Sequence, residues 1–171
     1  MAVLDLVSET HPILQTIQPR YDFDNPPVDT DTLVQDLLDT MRHHGAIGLA
    51  APQVNLPYNV FVMEIEGYSS RVCFNPVVVS VSDDIKKDTE GCLSFPDLWI
   101  KIKRPSKIDV VYQNHKGVFI QETFEDLMAR CFLHETDHVN GITFTNETVA
   151  GEVSLRLAKN SRNKRLKKDS K

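Results

Sequence analysis

The sequence predicts one soluble domain in which helix and strand occupy separate runs. Three observations carry this. At 171 residues the chain has the length of a single domain with a proper core. Two stretches, Leu33 to Met41 and Leu127 to Phe132, repeat apolar residues at helical spacing. Between them lie several short β-rich stretches bounded by turn-forming residues.

Taken in order, residues 1–28 read as an irregular segment over the body, because Pro12, Pro19, Pro26 and Pro27 break helices. Asp29 or Thr30 can cap a first helix, with Asp31 favoured near its N-terminus. Leu33, Val34, Leu37, Leu38 and Met41 form its apolar stripe, His43 and His44 close its last turn as surface residues, and Gly45 is suited to follow the cap. The run Gly45 to Gln53 is built of small residues that let another backbone approach, with Gln53 a lone amide among apolar neighbours. It is equally a tight core crossing or a substrate-lining strand with one hydrogen-bond donor.

Val60 to Ile65 and Val72 to Val81 read as strands, the second bent at Pro76, with Glu66 to Ser70 as the turn between them. Ile85 to Thr89 and Ile100 to Lys103 are short strands. Lys107 to Tyr112 turns through Asn114-His115-Lys116-Gly117 into Val118 to Thr123, with His115 solvated. A second helix starts near Glu125 and ends at Asn140-Gly141, followed by a short extended piece, Ile142 to Phe144. A last segment opens with Val153, Leu155 and Leu157 and dissolves into Lys and Arg.

Composition sets limits. No apolar run approaches the roughly 20 residues of a membrane span, and the stretch Met1 to Leu14 lacks the basic-then-apolar layout of a signal peptide. Three widely spaced cysteines do not make a disulfide framework, so a reducing cytoplasm is expected. Residues 152–171 carry a net charge of +6 against −11 for residues 1–151. We therefore expect a single catalytic domain over 1–151 and a basic C-terminal tail over 152–171, the tail being either a solvated end or an RNA-binding element.

The chemistry centres on His134-Glu135-Thr136-Asp137-His138, within the second helix. Residues i and i+4 stack on one helix face, so His134 and His138 can aim two imidazoles at one cation, while Glu135 borders it without being forced to bind. Two imidazoles suit zinc or iron, and a carboxylate beside a metal-bound water suits a general base. A catalytic site needs a third protein ligand. No histidine follows His138, and Glu147 and Glu152 have little helical context. Cys73 in an apolar strand and Cys131 on the helix's apolar face read as core residues. Cys92, set between turns in Glu90-Gly91-Cys92-Leu93-Ser94, is the expected third ligand, bound as thiolate.

Three segments, Ile47-Gly48-Leu49-Ala50-Ala51-Pro52-Gln53, Glu90-Gly91-Cys92-Leu93-Ser94 and His134-Glu135-Thr136-Asp137-His138, closely resemble in order and spacing the signature motifs of peptide deformylases. The resemblance implies an α+β fold, with antiparallel β-sheets packed around a central helix carrying the two histidines. It implies removal of the formyl group from N-formylmethionyl nascent peptides, with release of formate. It implies one divalent metal ion, typically Fe(II), with Zn, Ni or Co able to occupy the site. Cys92, His134 and His138 would hold the metal, a metal-bound water would be the nucleophile, and Glu135 would act as base and then acid. Gln53 and the backbone N–H of Leu93 would stabilise the oxyanion. Ile47, Leu127, Cys131 and His134 would border the methionine pocket, and Gly48 and Gly91 would let the substrate backbone pair as an added strand. Some relatives also dock on the ribosome through a C-terminal helix, which is the functional reading of the basic tail; no DNA or membrane partner is expected.

The chain departs from the usual family pattern at Ala46, Leu133, Val139 and Trp99. These positions bear on pocket shape and on the grip beyond methionine. Two rival readings share the His-Glu-x-x-His run: a zinc endopeptidase, which leaves Cys92 and Gln53 without a part, and a structural metal domain, which leaves Glu135 idle.

Overall fold

The computed structural model describes residues 2–170. The leading segment runs irregularly over the body, with one 3-10 turn at Pro12–Gln15. The first helix, α1 (Thr30–His43), starts where Asp29 accepts a hydrogen bond from the Thr32 N–H at 2.9 Å. It ends ahead of Gly45, whose φ of +64° only glycine adopts without strain. The strands follow as β1 (Gly48–Ala50), β2 (Val60–Met63), β3 (Arg71–Val81), β4 (Ile85–Cys92), β5 (Phe95–Pro105), β6 (Lys107–Gln113) and β7 (Phe119–Glu125). Then come α2 (Asp126–Val139), the short α3 (Glu147–Ala150) and α4 (Glu152–Asp169).

All strand pairings are antiparallel. One sheet has the order β1-β2-β3-β6-β7, and β4 and β5 form a separate two-stranded sheet. In the first sheet β2 is buried on both faces. Phe61 and Met63 turn to α2, joining Cys73, Val110 and Tyr112 against Met128, Ala129 and Phe132. Val60 and Val62, of opposite parity, turn to α1 and meet Leu33, Leu37 and Met41. The antiparallel α+β arrangement around a central helix is thus dictated by a strand with two apolar faces, each requiring a helix to cover it.

The bend expected at Pro76 is present as a break in register between Phe74 and Val77. Proline has no N–H for the ladder, and the side chain of Asn75 takes over: its Oδ1 accepts from the Tyr21 N–H at 2.8 Å and its Nδ2 donates to the Tyr21 carbonyl at 3.0 Å. The β4–β5 hairpin is longer than composition suggests. Cross-strand pairing carries it from Ile85↔Pro105 to Cys92↔Phe95, through charged residues of low strand propensity. Ile142 to Phe144 is not an extended strand. The Ile142 N–H bonds back to the Asp137 carbonyl at 2.8 Å, and Gly141 takes φ +72°, so the segment closes the end of α2.

Residues 152–169 do not dissolve into a tail. They form α4, whose Leu155 and Ala158 are buried with Leu98, Ile100 and Ile102 of β5 in a third apolar cluster. Arg162 pairs with Glu9 at 3.0 Å and Arg165 donates to the Asp97 carbonyl. Arg162 is thereby half-buried against the body, while Arg156, Lys159, Arg165 and Lys168 stay exposed.

Phe132 is fully buried among Phe61, Tyr112 and Phe124, with ring centroids 5.1–6.3 Å away. Phe132→Ala is expected to lower unfolding free energy by about 3–5 kcal/mol, read from the shift in denaturant midpoint.

Candidate active site

The site is a place where three elements meet. α2 presents Leu127, Cys131, His134 and His138 at successive i+4 and i+3 steps along one side, with Cys131 against Gly48 of β1 and the two histidines against β4. The end of β4 brings Glu90 and Cys92, whose side chains share a strand face two residues apart. A 3-10 turn after β1, Ala51–Val54, brings Gln53. Together they border a cleft of about 500 Å³ between the free edges of β1 and β4.

At its floor, the Cys92 sulfur and one ring nitrogen each of His134 and His138 lie within 4.8 Å of one another. A tetrahedral ion with bonds of about 2.0–2.3 Å needs ligand atoms roughly 3.5 Å apart, so the set fits a single cation. No fourth histidine, cysteine or carboxylate joins the group among the described residues.

The ring of His134 is oriented by Glu90. The His134 Nδ1–H donates to Glu90 Oε1 at 2.8 Å, which leaves Nε2 bare for a cation. Glu90 is itself fixed by Arg104, through Nε at 2.8 Å and Nη2 at 2.9 Å, and by Arg130 Nη1 at 2.7 Å. Burial opposes the charge on Glu90, but hydrogen bonds from Arg104 and His134 outweigh it and hold the carboxyl well below its usual range. For His134, burial favours the neutral ring, yet the neighbouring Cys92 and Glu90 raise its pKa. The groups that would attract a proton there attract a cation equally. His138 is driven the other way by burial, then by the charges of His134 and Arg104, and stays neutral as a ligand must. Its Nε2 lies 3.3 Å from the Cys92 sulfur, and its Nδ1 is buried with no hydrogen-bond partner among the described residues.

Glu135 is buried, and burial raises its pKa to about 7. One of its oxygens has no hydrogen-bond partner among the described residues. The other abuts Gly48, where a Cβ would fall 2.7 Å from it and 2.9 Å from the Cys131 sulfur. Gly48 is thus required for space beside the carboxylate, which adds to its expected part in backbone pairing.

Gln53 lies in a buried crossing and also lines the cleft. Its amide is aimed. Oε1 accepts from the Ala50 N–H at 2.9 Å, which fixes the amide orientation. Nε2 then donates to Ser94 Oγ at 3.0 Å and faces the Cys92 sulfur at 3.4 Å. Leu93, in the turn after β4, and Ile47, Gly91, Leu127 and Cys131 all line the cleft, while His138 lies behind it. The thiols of Cys73 and Cys131 are held neutral by burial.

Sequence reasoning did not find Glu90, Arg104, Arg130 or Ser94 as parts of the site. Two of them carried a legible signal. Arg130 stands four residues before His134 on α2, and Glu90 two residues before Cys92 on β4, so each shares a face with a ligand.

A sequence profile of the family described as polypeptide deformylase matches residues 3–153. A peptide deformylase of Phenylobacterium zucineum is 33% identical, over 100% of this chain and 99% of its own length. One of Thermotoga petrophila is 39% identical over 109 residues, 64% of this chain, and the match spans 66% of that protein's length. A crystal structure of a peptide deformylase from Legionella pneumophila is similar with a TM-score of 0.83 at 28% identity, covering 99% of both chains.

Cys92→Ser should lower the metal-to-protein ratio after dialysis, measured by elemental analysis, because a hard, protonated oxygen replaces the soft thiolate. A ratio equal to that of the parent protein would remove Cys92 from the site.

Proposed function

The chain belongs to the polypeptide deformylase family, and from that membership we propose that it hydrolyses the N-formyl group of formylmethionine at the start of nascent polypeptides, releasing formate. The observation that supports this most is the convergence of Cys92, His134 and His138 with Glu135 and Gln53 around one cleft. A closed structural metal site would have no use for a buried carboxyl with a free oxygen beside the ligands. The ligands suit Fe(II) as the native metal, with Zn, Ni or Co able to replace it, since a thiolate and two imidazoles are a borderline-soft set.

A formamide is a poor electrophile with a poor leaving group. A divalent cation held by the three ligands supplies positive charge that lowers the pKa of water from 15.7 toward about 7. Glu135 takes the proton released when water attacks the formyl carbon, then delivers it to the departing methionine nitrogen. A carboxyl with a pKa near 7 is suited to both transfers. Gln53 Nε2, its amide fixed by the Ala50 N–H, donates to the developing oxyanion together with the Leu93 N–H. Glu90, backed by two arginines, keeps the His134 ring in place throughout. The methionine side chain fills the pocket bordered by Ile47, Leu127 and Cys131, while the edges of β1 and β4 receive the peptide backbone.

The reading places the protein in the cytoplasm, where formylated chains emerge; no helix among the described residues is long and apolar enough to cross a membrane. α4 offers exposed Arg156, Lys159, Lys164, Lys167 and Lys168 for contact with ribosomal RNA near that point of emergence.

The direct test is formyl-Met-Ala-Ser. Formate release supports the proposal, internal cleavage points to an endopeptidase, and no reaction points to a structural site. Glu135→Gln should retain metal while turnover falls roughly 10²–10⁴-fold. Since Glu135 accepts a proton only when ionised, kcat/KM of the parent enzyme should fall as pH is lowered through its pKa. That pKa is about 7 for the chain by itself, and a nearby cation moves it lower. This acid limb should vanish in Glu135→Gln; near-parental activity in that variant would overturn the assignment. For α4, replacing Arg156, Lys159, Lys164, Lys167 and Lys168 with Gln keeps the buried Leu155 and Ala158 in place. The variant should cosediment less with ribosomes at low salt than the parent, and equal pelleting at both low and high salt would sink the ribosomal reading.

A further inference from the structure

The formyl-peptide reading of the cleft leaves Trp99 without a part, although this large apolar side chain is 59% exposed and lines the cleft. Its position follows from strand parity. Glu90 and Cys92 turn toward α2, where they touch His134 and His138. Gly91 between them faces the opposite way. A Cβ on Gly91 would lie 2.3 Å from the Trp99 ring, so the indole rests on the outward face of the β4 residue next to the ligand Cys92.

A peptide beside β4 obeys the same alternation. β4 pairs with β5 alone, so its second edge is open to an extended chain, and β1 ends the other sheet across the cleft. With the methionine side chain turned inward to Cys131, the residue after methionine turns outward. The indole occupies that outward side.

The surrounding chemistry is apolar. Ile47 and Leu127, 43% and 47% exposed, also line the cleft. Among the described residues the only lysine or arginine that lines it is Arg130, which is buried and engaged with Glu90 and the carbonyls of Ile102 and Lys86. Asp97 adds negative charge at the rim. A flat apolar side chain there would find a ring face; Lys101, two residues on along the same exposed face of β5, is the neighbouring cation.

We propose that Trp99 is a specificity-determining residue that selects bulky apolar, above all aromatic, side chains at the position immediately after formylmethionine. The inference rests on the deformylase reading of the cleft. Ring contact at a solvent-facing position acts on substrate binding and leaves the reacting bond alone, so its mark is KM with kcat kept.

The experiment compares formate release from formyl-Met-Phe-Ala and formyl-Met-Asp-Ala by the parent enzyme and by Trp99→Ala, Trp99→Phe and Trp99→Arg. The parent should prefer the Phe peptide. Trp99→Ala should cut the Phe-over-Asp ratio of kcat/KM roughly three- to tenfold, the range expected of one aromatic contact. Trp99→Phe should keep most of the preference, and Trp99→Arg should shift it toward Asp. A ratio unchanged in Trp99→Ala, or an equal fall in kcat for both peptides, would make the indole a mere support for the hairpin and overturn the proposal. Parent enzyme that released formate from neither peptide would instead overturn the deformylase reading, and this inference with it.

Discussion

The structure depends on one buried negative charge. Glu90 lies in the interior between β4 and α2, where an unpaired carboxylate would be prohibitive. Arg104 from β5 and Arg130 from α2 neutralise it, and His134 uses what remains of its hydrogen-bonding capacity. Arg104 reaches on to Asp137 at 2.9 Å, a second tie to α2. The two sheets share no strand, so this network is the polar joint that sets the small hairpin against the central helix. Because Cys92 rides on the hairpin and both histidines on the helix, the same joint sets the spacing of the sulfur and ring nitrogens that could hold a metal ion.

α2 serves two purposes by having two sides. One side, with Met128, Ala129 and Phe132, is ordinary core. The other carries the chemistry, and its polar groups are buried almost as deeply. Buried polar atoms are tolerated when partnered, and the partners here are Glu90 for His134 and the cysteine sulfur for His138. The bare oxygen of Glu135 and the bare nitrogen of His138 are exceptions. The oxygen sits where the proposed reaction needs an acceptor.

Much of this was legible in the sequence, for local reasons. Asp29, Gly45 and Gly141 marked helix ends because capping is chemistry of single residues. The strand read over Val60 to Ile65 declared itself by its β-rich apolar run, and the helix of His134 by its period. Cys92 was reached by elimination among possible third ligands, whereas Gln53 joined the histidines only through a family resemblance, which spacing alone would not have supplied. What stayed hidden was non-local. The Glu90–Arg104–Arg130 network joins residues that meet only once the hairpin register is set. The length of β4 and β5 comes from their pairing and not from their composition. α4 buries Leu155 and Ala158 alone, too thin a stripe to stand out among so many charges. The fully exposed appearance of residues 152–169 was thus misleading: their few apolar groups cover the back of the hairpin that carries Cys92.

That cover has a bearing on biosynthesis. The hairpin leaves the ribosome well before α4, so during translation Leu98, Ile100 and Ile102 have only part of their cover, from Leu14, Phe144 and Ala150, until Leu155 and Ala158 arrive. The cysteine arm of the ion-binding cradle would therefore be the last to become rigid. Acquisition of the ion would then follow the emergence of α4, coupling maturation of the catalyst to the docking of that helix.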